Sequence, residues 1–293
     1  MVSQESIYPI RHPSLKSNFI ATYYVFLTRL RTYSRYKGQI IMSVVTPILF
    51  AAIPILMGNA IGGSNAEQTF SKNTNIAGSF AGYMLIGALM FQLVSNTLWN
   101  FGFWLRREQM TGTLESGVYL VPTSRFWLVL GSSLYVLVRN SVSFVLALIF
   151  GLIIFSVQIG DFLKPTIILA ILFLAIGLPP IVGLSLLIGG IILKFKEIGS
   201  FINMLQWIIS FLMGIFYPIT LFPLELQIVA YLFPPTWTAI EIRSSLYNIT
   251  AMSEILQNFI VSLGFAIIVP ILAFLIWFKV EKGILNNQGV GFY

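Results

Sequence analysis

Residues 166–193 read TIILAILFLAIGLPPIVGLSLLIGGIIL, an apolar run with no charged side chain. A helix needs about 20 such residues to cross roughly 30 Å of hydrocarbon, so this run is long enough to span a membrane with some tilt. Pro179 and Pro180 interrupt it, but neighbouring helices can satisfy the backbone groups that prolines free. The run therefore predicts a transmembrane helix.

Five further apolar runs have the same character. Together with the first run they predict six transmembrane helices, at about 40–61, 79–100, 126–157, 166–193, 201–222 and 258–278. None of them shows the period-two alternation that is typical of barrel strands. Of the 293 residues 57% are hydrophobic and only 9% are charged, whereas a soluble domain carries about 25% charged residues. We therefore expect an all-α polytopic membrane protein.

Basic residues are unevenly divided between the two sides that these spans define. Of the 17 Lys and Arg, 13 fall on the side of the N-terminus, three (Lys72, Lys164 and Arg243) fall on the other side, and Arg139 lies within the third span. Because Lys-rich and Arg-rich loops stay in the cytoplasm, both termini and the loop 101–125 are predicted to be cytoplasmic in a multi-pass plasma-membrane protein. Arg139 either snorkels to headgroups or is a buried functional arginine. The net charge of +7 thus reflects the orientation of the chain in the membrane, and it also attracts the chain to anionic lipid headgroups. No nucleic-acid partner is expected.

Residues 1–38 are predicted to form a cytoplasmic tail that ends in an amphipathic interfacial helix. Its apolar residues recur at helical spacing and are Phe19, Tyr23, Phe26, Leu27 and Leu30. Its opposite side is basic and holds Arg29, Arg31, Arg35 and Lys37. Such a helix lies in the headgroup layer; the alternative is a partly disordered basic tail. Residues 39–293 then form the six-span transmembrane domain, with the outer loops 62–78 and 158–165 as connectors.

The composition excludes several kinds of chemistry. The chain has no cysteine, and His12 and Asp161 are its only histidine and aspartate, so cysteine chemistry, a His-based triad and a metal site are not expected. Gly183-Leu184-Ser185 lacks a histidine base within the membrane. The phosphate-binding pattern G-x-x-x-x-G-K-[ST] is absent as well, so the chain is predicted to be no enzyme, and to need a partner or an ion gradient for energy.

Two predicted spans carry polar stripes. The stripe residues are Gln92, Asn96 and Asn100 in the second span and Asn203, Gln206, Trp207 and Ser210 in the fifth. Amides are costly to leave unpaired in lipid, so these faces are expected to point into the protein or into water. Two interpretations stay open, namely hydrogen bonds between helices and the lining of a translocation path at a subunit interface.

The outer segment 218–257 is too apolar for water and too interrupted by prolines to span. Its prolines, at 218, 223, 234 and 235, flank the apolar patches 228–233 and 237–242. We expect a re-entrant or interfacial helical hairpin between spans five and six. Its charged residues are expected to pair or to face the outer water and are Glu225, Glu241, Arg243 and Glu254. Asn248-Ile249-Thr250 matches a glycosylation sequon, a tripeptide that is frequent by chance.

The loop 101–125 combines both charge signs with apolar residues at 110, 114, 118 and 121, the spacing of an amphipathic helix. Its run Glu108-x-x-x-Gly112-Thr113-Leu114-Glu115, followed by Pro122-x-x-Arg125, resembles the cytoplasmic signature of ABC-2-type transporter permeases. The outer segment resembles the same family in its runs Gly214-x-x-Tyr217-Pro218, Pro223, Pro234-Pro235-Thr236-Trp237 and Glu241-x-Arg243. The predicted order of helices agrees with this resemblance.

The resemblance implies a permease subunit of an ATP-driven exporter that moves a hydrophobic or amphiphilic substrate outward. In that family two permease subunits pair, as a homodimer or heterodimer, and each docks an ATPase subunit, which binds ATP and Mg. The implied ATPase-coupling residues are Glu108, Gly112, Thr113, Leu114, Glu115 and Tyr119. The implied outer-gate residues are Tyr217, Pro218, Pro234, Pro235, Trp237, Glu241 and Arg243. The alternative is an ion-coupled secondary transporter or channel, against which stands the lack of acidic residues within the spans.

Overall fold

A computed structural model describes residues 14–74, 79–102, 125–157, 166–192, 198–247 and 252–288. Over these residues the chain is all-helical and contains no strand, as predicted. In chain order the helices are α1 (Leu15–Arg35), α2 (Lys37–Gly62), α3 (Ala66–Thr74), α4 (Phe80–Gly102), α5 (Arg125–Ile154), α6 (Ile167–Ile192), α7 (Ile198–Leu212), α8 (Leu224–Tyr231), α9 (Pro234–Tyr247) and α10 (Met252–Gln288).

Five of these helices are long and apolar enough to cross a membrane, and they are α2, α4, α5, α6 and α10. Each of the five coincides with a predicted span. The described part of the chain therefore has the architecture of a polytopic helical membrane protein. Pro47 and Pro54 lie inside the continuous helix α2, Pro179 and Pro180 inside α6, and Pro270 inside α10.

The fifth predicted span, 201–222, is not one continuous helix. Helix α7 has 15 residues and ends at Leu212, so it is about 22 Å long at 1.5 Å per residue and shorter than the hydrocarbon core. The chain then turns at Gly214, whose φ of +60° is one that glycine adopts without strain. A 3-10 turn, Ile219–Leu221, follows. The prediction of a helix up to residue 222 was wrong because hydropathy does not register such a turn.

Helix α4 lies at the centre of the bundle. Most of it is buried, and it contacts α2, α5, α6, α7 and α9. Helices α6 and α10 pack along each other, and a Cβ at Gly183 would lie 3.0 Å from the backbone nitrogen of Pro270. Glycine therefore allows these two spans to approach at backbone distance.

The N-terminal helix forms where the sequence predicts it and packs onto the bundle. Phe26 and Leu30 of α1 belong to an apolar cluster with Leu128 and Val129 of α5, whereas Phe19 is exposed. The segment 62–78, predicted to be an outer connector, contains the short helix α3.

Three predicted features lie outside the described residues. They are the connector 158–165, the coupling loop with Glu108, Gly112, Thr113, Leu114, Glu115 and Tyr119, and the sequon at Asn248. Their assignments stay predictions.

Candidate functional site: a polar cavity inside the bundle

A polar cavity of about 520 Å³ lies between α1, α2, α4 and α5. Its walls include Arg29 and Tyr33 of α1, the three amide side chains of the second-span stripe, and Arg139 of α5. This volume is within the range of small-molecule pockets, about 300–1,000 Å³. A polar cavity of this size is large enough for part of a substrate or for a group of water molecules.

The cavity forms because the chain bends between α1 and α2. Tyr36 adopts φ −97° and ψ 75°, which is not helical, so α2 leaves α1 in a new direction. The bend brings Tyr33 Oη to 3.1 Å from Ser43 Oγ, and Ser143 Oγ of α5 donates to Ser43 Oγ over 3.0 Å. These contacts hold α1, α2 and α5 together around the cavity.

The second-span stripe faces this cavity as one row. Gln92 Nε2 donates to Asn96 Oδ1 over 2.8 Å, and Asn100 Nδ2 donates to the backbone oxygen of Asn96 over 2.7 Å. All three side chains are half-buried and line the cavity. Their spacing of four residues places them on one face of α4. Their role in translocation stays a prediction.

Two arginine side chains lie in the cavity wall. Arg29 and Arg139 both line it, and none of the described residues in its wall is acidic. The guanidinium carbon of Arg139 lies 4.9 Å from the ring centroid of Tyr33, within cation–π range. Its Nε is buried and has no hydrogen-bond partner. Arg139 is thus part of the cavity wall.

The fifth-span stripe does not meet the cavity. Gln206 Oε1 accepts hydrogen bonds from Ser95 Oγ over 2.8 Å and from Trp99 Nε1 over 2.9 Å, so this amide joins α7 to α4. Ser210 bonds to the backbone of its own helix. Asn203 and Trp207 are exposed on another face of α7. The structure therefore separates the two stripes that the sequence analysis grouped as one path.

On the other side of α4, the predicted outer-gate residue Arg243 is buried and 4% exposed. Its Nη1 donates to the backbone oxygen of Gly214 over 2.8 Å, and its Nη2 donates to that of Ile215 over 2.6 Å. Its guanidinium carbon lies 3.7 Å from the ring centroid of Tyr83. Arg243 thereby connects α9 to α4 and to the end of α7.

Glu241 is buried on the same helix and is 1% exposed. Ser262 Oγ of α10 donates to Glu241 Oε1 over 2.7 Å, while Oε2 has no partner. Burial raises the pKa of Glu241 to about 8, so its protonated form predominates at neutral pH. The expectation that Glu241 and Arg243 pair or face the outer water was wrong, because each bonds to a neighbouring helix in the protein interior.

The other predicted outer-gate residues stabilise the turns of this segment. Tyr217 Oη donates to the backbone oxygen of Phe211 over 3.0 Å, and Trp237 Nε1 donates to that of Tyr231 over 2.8 Å. The prolines precede or begin helical turns, Pro218 before the 3-10 turn and Pro234 and Pro235 at the start of α9.

No protein-family model and no curated protein matches this chain. The described residues hold no group of three or more His, Asp or Glu side chains that could bind a metal ion.

The sequence analysis missed the contribution of α1 and α2 to the cavity. Tyr33, Ser43 and Thr46 line it, yet they precede or interrupt an apolar run without forming a stripe. Ser43 and Thr46 are three residues apart in the first span, and this pair was the available signal. The bend at Tyr36, which brings α1 and α2 together around the cavity, has no sequence signature.

Proposed function

We propose that this chain is the permease subunit of an ATP-driven exporter in the plasma membrane, with both termini in the cytoplasm, and that it moves a hydrophobic or amphiphilic substrate outward. The observation that carries the proposal is the polar cavity among apolar helices, with the row Gln92, Asn96 and Asn100 in its wall. Polar groups at membrane depth are costly unless they meet water, a ligand or other polar groups of the protein, and the cavity beside this row leaves room for water or a ligand. The ABC-2-type resemblance of the loop and outer segment supports it.

The energy for transport comes from a separate ATPase subunit. The chain contains no G-x-x-x-x-G-K-[ST] pattern, so it lacks the loop that cradles nucleotide phosphates in such ATPases. Docking is assigned to the loop around Glu108 and Glu115, whose carboxylates would pair with basic side chains of the ATPase. A short helix joined to two spans would pass the motion of the motor to α4 and α5.

A second permease subunit is assigned to the exposed face of α7. Three large apolar residues of this face, Met204, Trp207 and Phe211, are about half exposed, and Asn203 is exposed beside them. An amide that faces lipid lacks hydrogen-bond partners, so Asn203 supports a protein partner here. The pairing implied by the resemblance is consistent with this face.

One observation favours the alternative, an ion-coupled transporter. Glu241 is buried, carries a proton at neutral pH and bonds to Ser262 of the spanning helix α10. Buried carboxyls that bind and release protons serve as relays in such transporters. Proton uptake into proteoliposomes during transport, abolished in Glu241→Gln, would support the alternative and contradict the ATP-driven proposal.

The first experiment tests coupling to the ATPase. We expect the chain, purified with its ABC ATPase subunit, to transport only with ATP. Glu108→Lys with Glu115→Lys is expected to lower substrate-coupled hydrolysis and transport without preventing membrane insertion. The matched control is Glu67→Lys, an exposed charge reversal on α3, which is expected to leave both unchanged. Transport by the chain alone, without a nucleotide-hydrolysing partner, would contradict the proposal.

The second experiment tests the orientation of the chain. Because there is no native cysteine, Lys72→Cys and Thr111→Cys each provide a unique thiol. A membrane-impermeant thiol reagent is expected to label position 72 from outside intact cells and position 111 only after permeabilisation. Labelling of both from the same side would refute the topology.

A further inference from the structure

A row of buried polar side chains follows one face of α9. Thr238, Glu241 and Ser245 are separated by three and four residues, a spacing that places them on the same side of a helix, and each is at most 1% exposed. Glu241 Oε2 and Ser245 Oγ have no hydrogen-bond partner among the described residues. Buried oxygen atoms of this kind are costly to leave unpaired, so the row suits a ligand that binds to oxygen.

Two membrane-spanning helices, α6 and α10, pack against this face of α9. Ser262 Oγ of α10 donates to Glu241 Oε1 over 2.7 Å. On α6, a Cβ at Gly177 would overlap the side chain of Thr238. The polar row therefore lies in the junction of three helices, and its carboxyl group already touches one hydroxyl group from a neighbouring helix.

The contacts of the row with α6 and with α10 lie at a similar depth in the bundle. These two helices approach each other where a Cβ at Gly183 would lie 3.0 Å from the backbone nitrogen of Pro270. Gly177 precedes this contact by six residues and Ser262 precedes it by eight, which corresponds to about 9 Å and about 12 Å of helix. Side chains from all three helices thus meet at nearly one level.

Prolines free backbone oxygen atoms close to this level. Proline has no N–H, so the carbonyl oxygen four residues before it loses its donor within the helix. In α6 one such oxygen belongs to Ile176, the residue before Gly177, and in α10 it belongs to Ala266, one helical turn after Ser262. Carbonyl oxygens of interrupted membrane helices are ligands for Na⁺ in transporters, so the junction combines the kinds of oxygen that bind such an ion.

The charge of the junction matches a monovalent cation. Glu241 is the only carboxyl group in the row, and the other oxygen atoms belong to hydroxyl and backbone carbonyl groups. Ca²⁺ takes six to eight oxygen ligands, usually with several carboxylates among them. Arg243 does not occupy the carboxyl group, since its guanidinium donates to the turn after α7 and to Tyr83. One carboxylate therefore balances one positive charge.

We propose that Glu241, Ser245 and Ser262 form a binding site for Na⁺, which the carbonyl oxygens of Ile176 and Ala266 complete. Binding exchanges a proton for the ion: the O–H bond of the Glu241 carboxyl group breaks, the proton passes to water, and the resulting carboxylate binds Na⁺. None of these residues lines the polar cavity. The bound ion holds α9 against α10 and supplies no energy for transport, so the assignment does not depend on the proposed function.

Protons and Na⁺ compete for this one carboxyl group. The charged or titratable side chains that the structure describes on α9 and on α4, α8 and α10, which pack against it, are Tyr83, Glu225, Tyr231, Arg243, Tyr247, Glu254 and Lys279; α6 has none. None of them acts on the pKa of Glu241, which burial raises to about 8 and the bond from Ser262 lowers. The Na⁺ concentration for half occupancy is therefore expected to fall about tenfold from pH 6 to pH 7 and to become constant above about pH 8.

The test uses the purified full-length chain in a non-ionic detergent, without ATP, an ATPase or a substrate. Thermal unfolding is followed by tryptophan fluorescence in NaCl, KCl or choline chloride at one ionic strength. At about pH 8 we expect NaCl to raise the melting temperature by about 3 °C or more above its value in choline chloride. The NaCl concentration for half of this effect is expected to be at least tenfold lower than that of KCl. Equal melting temperatures in NaCl and choline chloride would overturn the site.

Glu241→Gln is expected to abolish the effect of Na⁺ while it keeps the bond from Ser262, and Ser245→Ala is expected to raise the half-effect concentration about tenfold. The matched control is Ser185→Ala, because Ser185 is a fully buried serine of α6 whose hydroxyl group bonds to its own helix. This variant is expected to respond as the unmodified chain does. A sodium effect that persists in Glu241→Gln would contradict the assignment.

A measurement on the unmodified chain guards against misfolding of the variants. Equilibrium binding of radioactive sodium is expected to saturate at one ion per chain, and about one proton is expected to be released for each ion bound near pH 7. Sodium binding without proton release would exclude Glu241 as the ligand. Because no nucleotide or transport step enters these measurements, their failure would leave the proposed function standing.

Discussion

The guanidinium of Arg243 donates a hydrogen bond to the backbone oxygen of Gly214 over 2.8 Å, across 29 residues of chain. Gly214 lies just beyond the end of α7, where the last carbonyl oxygens lack donors within their own helix. Because both partners are buried, water does not take the place of Arg243. One side chain of α9 thus satisfies backbone oxygens in the turn that follows α7.

Arg243→Ala is expected to destabilise the protein by about 3 kcal/mol or more, because it leaves buried carbonyl oxygens without donors. Arg243→Lys keeps the charge but loses the planar fork, and an intermediate loss is expected. Thermal unfolding in detergent, followed by tryptophan fluorescence, measures both. Arg31→Ala, at an exposed position, serves as the control and is expected to be neutral. Unchanged stability of Arg243→Ala would show that the buried bonds contribute nothing.

Gly87→Ala is expected to lower stability by about 1–3 kcal/mol, as overpacking of a tight contact does. A Cβ at Gly87 would overlap the backbone oxygen of Ile215 and would lie 2.5 Å from Arg243 Nη2. Gly264→Ala is the matched control in another spanning helix, because a Cβ there meets nothing within 4 Å. Thermal unfolding of the two variants is the measurement. The packing assignment fails if they are equally stable.

The stability of the protein is expected to fall as pH rises through the range in which Glu241 titrates. Its pKa is raised from 4.5 to about 8 in the folded state, so the folded chain holds the proton more tightly than the unfolded chain does. The stabilisation is complete below about pH 4.5 and is lost progressively as pH rises to about 8. Glu241→Gln is expected to flatten this part of the profile of melting temperature against pH. Glu225→Gln, an exposed control on α8, is expected to give the same profile as the unmodified chain. If the Glu241→Gln profile is as steep as that of the unmodified chain, Glu241 does not hold a buried proton.

The two amides of α7 are expected to respond differently to replacement. Gln206→Leu removes the bonds from Ser95 and Trp99 and is expected to cost about 1 kcal/mol, at roughly 0.6 kcal/mol for each bond between membrane helices. Asn203→Leu is expected to leave the stability of the single chain unchanged and to weaken the dimer. Thermal unfolding and the disulfide cross-linking yield of Asn203→Cys measure these effects. A loss of chain stability in Asn203→Leu equal to that in Gln206→Leu would place Asn203 inside the bundle.

Local composition was sufficient to predict most of the helices. The spans around Pro47, Pro179 and Pro270 form as continuous helices because an apolar run in lipid must satisfy its backbone hydrogen bonds internally. The prediction from hydrophobicity failed after Leu212. There the chain turns at Gly214, whose φ is positive, and the buried Arg243 of a later helix donates to this turn.

The candidate site was only partly predictable, as the amide residues show. Asn96 lines the cavity, Gln206 bonds to α4 and Asn203 is exposed, although all three were grouped by their polarity. Helical spacing assigns a residue to a face of its own helix, but it does not identify which neighbour meets that face.

The amino-acid sequence by itself therefore determined the fold class and the location of five spanning helices, because hydrophobicity and backbone satisfaction act along the chain. Tertiary structure alone decided the cavity, the burial of Glu241 and Arg243, and the end of α7. Each of these depends on groups brought together from distant parts of the chain, such as Arg139 with Tyr33. The free energy of such contacts arises only when helices from different parts of the chain pack together, so no single segment of sequence predicts it.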